Sequence, residues 1–379
     1  MSIHADHYIR IDRTRSLQFE PSTGHNRWHP DIAPILRVNE DEIVALETRD
    51  AFDGQIAQDT SNNELSRVSL ARVHPMTGPV YINGAEPSDL LEVNVLHVEP
   101  QGFGFTVQGP KYGFLRDIFT NDYLIRWKIV DGHAVSPDLP GVRVPGAPFM
   151  GVMGVAPSHD LMRAISEREA DLAARGAFVA LPGAEDAIPQ DPTIARVALK
   201  SLPPREFGGN IDVKQLTAGT TLRLPVFVPG ALFSTGDAHF AQGDNECCTA
   251  IETGATLHCS FKIIKSDTKR RDILDPEFYR DSVISSADSI TPVSVESVRF
   301  FATTGSCRRK DGVNHAEDLN LAARNALLNM IEYLTDERGF TPEQAYALCS
   351  VAVDLRVSEA VNLPNFLVSA FLPLDIFAQ

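Results

Sequence analysis

Glycine and proline, 25 of each, break this 379-residue chain at short intervals. Proline cannot donate to a sheet ladder, and both residues weaken helix interiors. A chain punctuated this closely folds into short strands joined by turns. The segments between the breaks agree. Glu42–Thr48 alternates in part and reads as a strand. Pro79–Gly84 and Asp89–Val98 are two β-runs around a turn that carries Gly84, Pro87, Ser88 and Asp89. Pro145–Pro148 marks a loop before the apolar run Phe149–Val155.

Helical periodicity is confined to two places. Ser158–Ala173 places Leu161, Met162, Ile165 and Ala170 on one stripe, with Ser158 as its cap. Leu319–Leu334 does so more strongly, through Leu319, Ala322, Ala323, Ala326, Leu327, Met330 and Leu334. Gly339 stops that helix, and Thr341-Pro342-Glu343-Gln344 caps a second one running to about Ala352. The fold class expected is α+β and β-rich: a β-sandwich or barrel-like body with a smaller helical α+β layer towards the C-terminus. We divide the chain into a β-rich region 1–150, a helix and loop insertion 151–200, and a strand-then-helix region 201–379, with the Pro/Gly/Asp-rich loop 183–192 as the insertion candidate.

Composition narrows the class. A hydrophobic fraction of 43% and a charged fraction of 22% are those of an ordinary globular chain. No apolar run of about 18 residues exists to span a membrane, and Met1–Arg15 has no apolar stretch of a secretory signal. The five cysteines lack zinc-finger spacing and read as reduced thiols, so a cytoplasmic location is expected. A formal charge of −16 argues against nucleic acid or an anionic membrane as partner and favours a small neutral or cationic ligand.

The chemistry is concentrated in Gly236–Glu246, where Asp237, His239, Gln242, Asp244, Asn245 and Glu246 follow the apolar run Leu224–Gly230. An apolar strand leading into convergent polar residues is how a rigid scaffold presents a reactive group. Asp237 and His239 are two apart, so on an extended segment they share a face and can chelate one ion. Glu is a common general base beside such an ion. The bland alternative is a solvated acidic turn.

The segment resembles the signature of the acetamidase/formamidase family, Gly-Asp-x-His-x-x-Gln-Gly-Asp-Gly-Glu. Gly208–Lys214, Leu224–Gly230, His25–Pro30, Asp53–Ile56, Gly84–Asp89 and Val353–Ser358 are similar to that family's other motifs, in order over nearly the whole chain. The resemblance implies hydrolysis of a small amide such as acetamide or formamide, and a cyclic amide such as a γ-lactam would undergo the same chemistry. It implies a divalent metal, zinc first among the candidates, held by Asp237, His239 and Asp50, with Asp53 the alternative third ligand. Glu246 is then the general base, Asp244 and Gln242 orient neighbours, and Lys214 serves as electrophile or counter-charge. His25, Asp53, Gln242 and Asn245 are expected to line the substrate. Asn245 departs from the family's Gly at that position, and Asn tolerates the left-handed backbone a Gly would supply.

Other readings stay open here. Cys247 and Cys248 adjoin Glu246, but the surrounding pattern of nitrilase-type amidases is missing, as is any Gly-x-Ser-x-Gly elbow. His74, His97, His133, His159, His258 and His315 read as structural, Glu86 and Asp89 as turn formers, and Asp354 with Arg356 as an ion pair. A homo-oligomer is expected. The alternatives to hydrolysis are a non-catalytic amide-binding or sensing protein and another metal-dependent enzyme, such as a lyase, on the same scaffold.

Overall fold

Sheets dominate, in keeping with the punctuation of the sequence. The computed structural model describes residues 3–110, 112–268, 271–281 and 299–377. Among these, a six-stranded sheet runs in the order His7–Ile9, Val44–Thr48, Ala255–Ile264, Leu90–Pro100, Thr221–Pro225 and Glu277–Tyr279. A larger, twelve-stranded sheet has Phe103–Gln108, Glu252–Thr253, Phe233–His239 and Phe149–Gly154 side by side at its centre. The strand Met76–Ile82 also pairs with Phe233–His239. A three-stranded sheet of Phe300–Ser306, Leu367–Pro373 and Asp354–Glu359 and a two-stranded one of Arg27–Trp28 and Leu199–Lys200 complete the set among the described residues. The architecture is α+β and sheet-dominated, as expected, but none of the sheets closes into a barrel.

The main core lies where the two large sheets meet, with Leu46, Val93, Leu257 and Phe261 of one against Val80, Val152, Met153 and Phe233 of the other. The central strands Phe149–Gly154 and Phe233–His239 are buried at every position, so both of their faces are covered. A second core joins the large sheet to the C-terminal layer, where Ala326, Leu327, Met330 and Leu334 of the Leu319–Asp336 helix meet Tyr346, Leu348 and Val351 of the Pro342–Ala352 helix.

The helices match the capping signals. Ser158 accepts a hydrogen bond from the Leu161 amide at the start of His159–Ala174, and Thr341 with Gln344 forms a capping box. The apolar run Leu224–Gly230 corrects the expectation of a strand. Only Thr221–Pro225 is extended, and it belongs to the six-stranded sheet. Pro225 and Pro229 cannot donate to a ladder, and Gly230, Ala231 and Leu232 have φ of 75°, 57° and 58°. The run is therefore the corner through which the chain passes from one sheet to the other.

Candidate active site

The strand Phe233–His239 delivers Asp237 and His239 into the interior, where they are 2% and 0% exposed. Its antiparallel neighbour places Glu252 directly opposite His239. His239 Nε2 lies 3.3 Å from Asp237 Oδ1 and 3.2 Å from Glu252 Oε2. His74 approaches from the other side, with Nε2 3.5 Å from Asp237 Oδ2. Asp212 and Glu246 bring two more carboxylates, each with an oxygen within 4.8 Å of a His239 nitrogen. Those two residues are partly exposed, so the cluster is buried on the Asp237 side and reaches solvent on the Glu246 side.

The imidazole tautomer follows from its neighbours. Gln242 Nε2 donates to the Asp212 carbonyl at 2.8 Å, which turns Gln242 Oε1 towards His239 Nδ1, also at 2.8 Å. Nδ1 therefore carries the proton and donates. In the neutral ring, Nε2 then points a lone pair at two carboxylate oxygens. Among the described residues, His239 Nε2, Asp237 Oδ1, Glu252 Oε2 and Asp212 Oδ1 are buried without a hydrogen-bond partner. Orphaned buried donors and acceptors are rare in folded proteins. Such a set of one imidazole nitrogen and two carboxylate oxygens needs a proton or a cation at its centre, and it is the donor set a divalent ion such as zinc takes.

The same crowding governs protonation without a cation. Burial opposes the charged imidazole of His239, but the Glu252 and Asp237 carboxylates hold its pKa well above the usual range. Burial would lift Asp237 as well, yet His74 and His239 beside it carry it below the usual carboxylate value. Burial pushes Asp212 up to about 7, with the Asp237 charge adding to it, and pushes Glu252 up to about 8. Burial and the Asp212 charge raise Glu246 well above normal. Divergent values among adjacent carboxylates are what acid–base chemistry uses.

The backbone is bent to make this possible. Asp237, Asp212 and Glu246 have φ of 56°, 45° and 36°, a left-handed region that L-residues avoid. Gly151, on the strand paired with Phe233–His239, leaves the space they occupy. A Cβ there would stand 2.5 Å from Asp212 Oδ1 and 3.0 Å from Asp237 Oδ2. A cleft of about 250 Å³ abuts the site, with Ala241, Gln242, Lys214 and Asp354 along one wall and Arg143–Ala147 along another.

Of the residues singled out in the sequence, Asp237, His239, Gln242 and Glu246 converge here. Asp244 lies beside them: Gln215 Nε2 donates to its carboxylate at 2.8 Å, and Lys214 Nζ is 3.7 Å away. Lys214 itself is ion-paired to the buried Asp354. The Asn245 side chain bonds to backbone, donating to the Cys349 and Val353 carbonyls and accepting from the Cys247 amide at 2.9 Å. His25 is committed to Ser234 Oγ at 2.8 Å and the Arg27 carbonyl at 2.5 Å. Asp50 accepts from the Phe52 and Gly54 amides, and Asp53 accepts from the Leu17 amide at 2.7 Å. Neither belongs to the groups of facing metal-ligand atoms found among the described residues.

Three residues of the cluster escaped the sequence reading. His74 reads as structural from sequence, but its ring faces Asp237. Glu252 carries no local motif, and only strand register brings it opposite His239. Asp212 lies in the Gly208–Lys214 motif, and that motif is its one signal in the sequence.

Comparison with known proteins gives this geometry a context. A profile of the Acetamidase/Formamidase family matches residues 10–379. The chain is 34% identical over 370 residues to an acetamidase of Mycolicibacterium smegmatis, spanning 89% of this chain and 87% of that one. It is 33% identical to a formamidase of Methylophilus methylotrophus, spanning 97% and 93%. In structure it superposes on a gamma lactamase from Delftia acidovorans with a TM-score of 0.89 and 32% identity, covering 98% of this chain and 93% of that one. The chain belongs to the acetamidase/formamidase family and is an amidase, a hydrolase of carbon–nitrogen bonds other than peptide bonds.

Proposed function

We propose that the chain hydrolyses a small amide, acetamide- or formamide-like or a γ-lactam, to a carboxylate and an amine or ammonia. The observation that carries this reading is the set of orphaned atoms on Asp237, His239 and Glu252 beside the carboxyl pair Asp212 and Glu246. An amide resists water because its carbonyl is a poor electrophile and its leaving nitrogen a strong base. A divalent cation, zinc first, held by Asp237, His239 and Glu252 would supply an acidified water and a polarised carbonyl.

The chain's own groups perform the rest. Gln242 fixes the His239 tautomer, so Nε2 offers its lone pair. Asp212, raised by burial and the Asp237 charge, and Glu246, raised by burial and the Asp212 charge, favour holding one proton between them. The ionised oxygen of that pair takes the proton of the attacking water, and the carboxylic acid so formed gives it to the departing nitrogen. Lys214 neutralises Asp354 at the cleft wall, which keeps a further negative charge from the site. Exposed apolar residues such as Val357, Val361 and Leu363, at 56%, 76% and 67%, support self-association into a homo-oligomer.

The test is elemental analysis paired with ammonia release from a small-amide panel before and after chelation. One divalent ion per chain and chelator-sensitive turnover, both lost in His239→Ala, are expected. Full turnover by metal-free protein would overturn the cation's part and leave Asp212 and Glu246 as the chemistry to test. Saturable amide binding without turnover would favour a sensor instead.

A further inference from the structure

The cleft beside the site is larger than acetamide needs. At ~30 Å³ per water, its volume holds roughly eight waters, whereas acetamide has only four heavy atoms. Its walls are apolar along Val144, Ala241, Val351 and Ile376, and Arg143, Lys214, Asp354 and Asp375 also line it.

Those charges are accounted for with one exception. Lys214 is paired with Asp354, and Asp375 accepts from Arg299 at 2.7 Å. Arg143 has its guanidinium 3.0 Å from the His133 ring nitrogen Nδ1, and no carboxylate among the described residues pairs with it. Its place is fixed by a close approach. A Cβ on Gly146 would fall 2.3 Å from the Phe240 ring, and the Ala147 amide donates to the Phe240 carbonyl at 2.9 Å. The strand Arg143–Pro145 is thereby held against the segment that carries His239 and Gln242. Three residues of extended chain separate Arg143 from Gly146, roughly 10 Å.

We infer that this cleft takes an amide bearing a carboxylate at its far end, with the carboxylate on Arg143, the spacer along the apolar wall and the amide at the His239 end. The inference rests on the hydrolysis reading above. A single guanidinium matches a monoanionic carboxylate, which it can grip through two parallel N–H donors, whereas a phosphate dianion would call for more positive charge than the cleft offers. The products are a dicarboxylate and ammonia, with water supplying the oxygen and the nitrogen's proton.

The experiment compares kcat/KM for glutaramate, the monoamide of a five-carbon diacid, with that for uncharged pentanamide, in the wild type, Arg143→Gln and Arg143→Lys. The wild type is expected to prefer glutaramate by at least about tenfold. Arg143→Gln should cut that ratio about tenfold, mainly through KM, and Arg143→Lys should restore part of it. Equal ratios in wild type and Arg143→Gln would overturn the carboxylate site while leaving hydrolysis standing. If neither amide releases ammonia, hydrolysis fails, and calorimetric binding of glutaramate to wild type against Arg143→Gln still decides the Arg143 contact.

Discussion

Gln242 holds the His239 imidazole from behind, with Oε1 on Nδ1 at 2.8 Å and its amide nitrogen anchored on the Asp212 carbonyl. The carboxamide thus links two members of the cluster, one through the ring it orients and one through the backbone it bonds. Outer partners of this kind set both the tautomer and the basicity of a ligand. Gln242→Ala should weaken metal retention by about 10- to 100-fold with the fold intact. Competition with a chromophoric chelator would measure it. Unchanged retention would show that the ring needs no such support.

Gly151→Ala tests the crowding directly. The added methyl meets Asp212 Oδ1 and Asp237 Oδ2, both on backbone already in the left-handed region. Amide turnover should fall by about 100-fold or more, as misplacement of reacting groups by an ångström does. The far-ultraviolet circular dichroism should stay that of the wild type. Full activity would mean that the cluster tolerates displacement.

Asn245 belongs to the framework, so its replacement should act on stability. Asn245→Ala loses the bonds to the Cys349 and Val353 carbonyls and to the Cys247 amide. A loss of about 2 kcal/mol is expected from denaturant titration, with KM for a small amide little changed. A shift in KM at constant stability would instead return Asn245 to the substrate.

Lys214→Met removes the nearer cation from the buried Asp354 carboxylate and leaves it the Asp244 amide at 3.0 Å and the Arg356 guanidinium at 3.9 Å. Breaking a buried ion pair costs up to about 3–5 kcal/mol, and the half-exposed Arg356 offsets part of that here. The double variant Lys214→Met, Asp354→Leu should recover much of that loss. Failure to recover would place Lys214 in the chemistry and remove it from the scaffold.

Asp53 gives a pH signature. Burial lifts its pKa from the ordinary 3.8 to about 6, so between these values the folded state binds more proton than the unfolded one. Its contribution to stability is greatest below the lower value and is lost as pH rises through the upper one. Asp53→Asn should flatten the stability profile between pH 4 and 6, read from urea midpoints. An identical slope in both proteins would show that Asp53 ionises normally.

Much of this was legible because its causes are local. Ser158 and Thr341 announce their helices through hydrogen bonds reaching three residues ahead. Asp237, His239, Gln242 and Glu246 lie within ten residues of one another, so composition alone displays them. What was not legible depends on pairing. Glu252 meets His239 only because a short strand returns antiparallel in that register, and His74 arrives from far back in the chain to face Asp237. That Asp50 and Asp53 accept from the Phe52, Gly54 and Leu17 amides is likewise invisible in one dimension. The run Leu224–Gly230 was misjudged because hydrophobicity signals burial, and a buried corner is as apolar as a buried strand.

The segment carrying the reactive side chains is fastened to residues made about a hundred positions later. The Gly243 amide donates to the Ser350 carbonyl, the Asp244 amide to the Asp354 carboxylate, and the Cys248 amide to the Ser350 hydroxyl. On the ribosome, then, the chain emerges with its acidic cluster already made but its fastenings still unsynthesised. It gains a competent centre only once Pro342–Ala352 has folded against it, which delays any amide-splitting chemistry until that helix has been made.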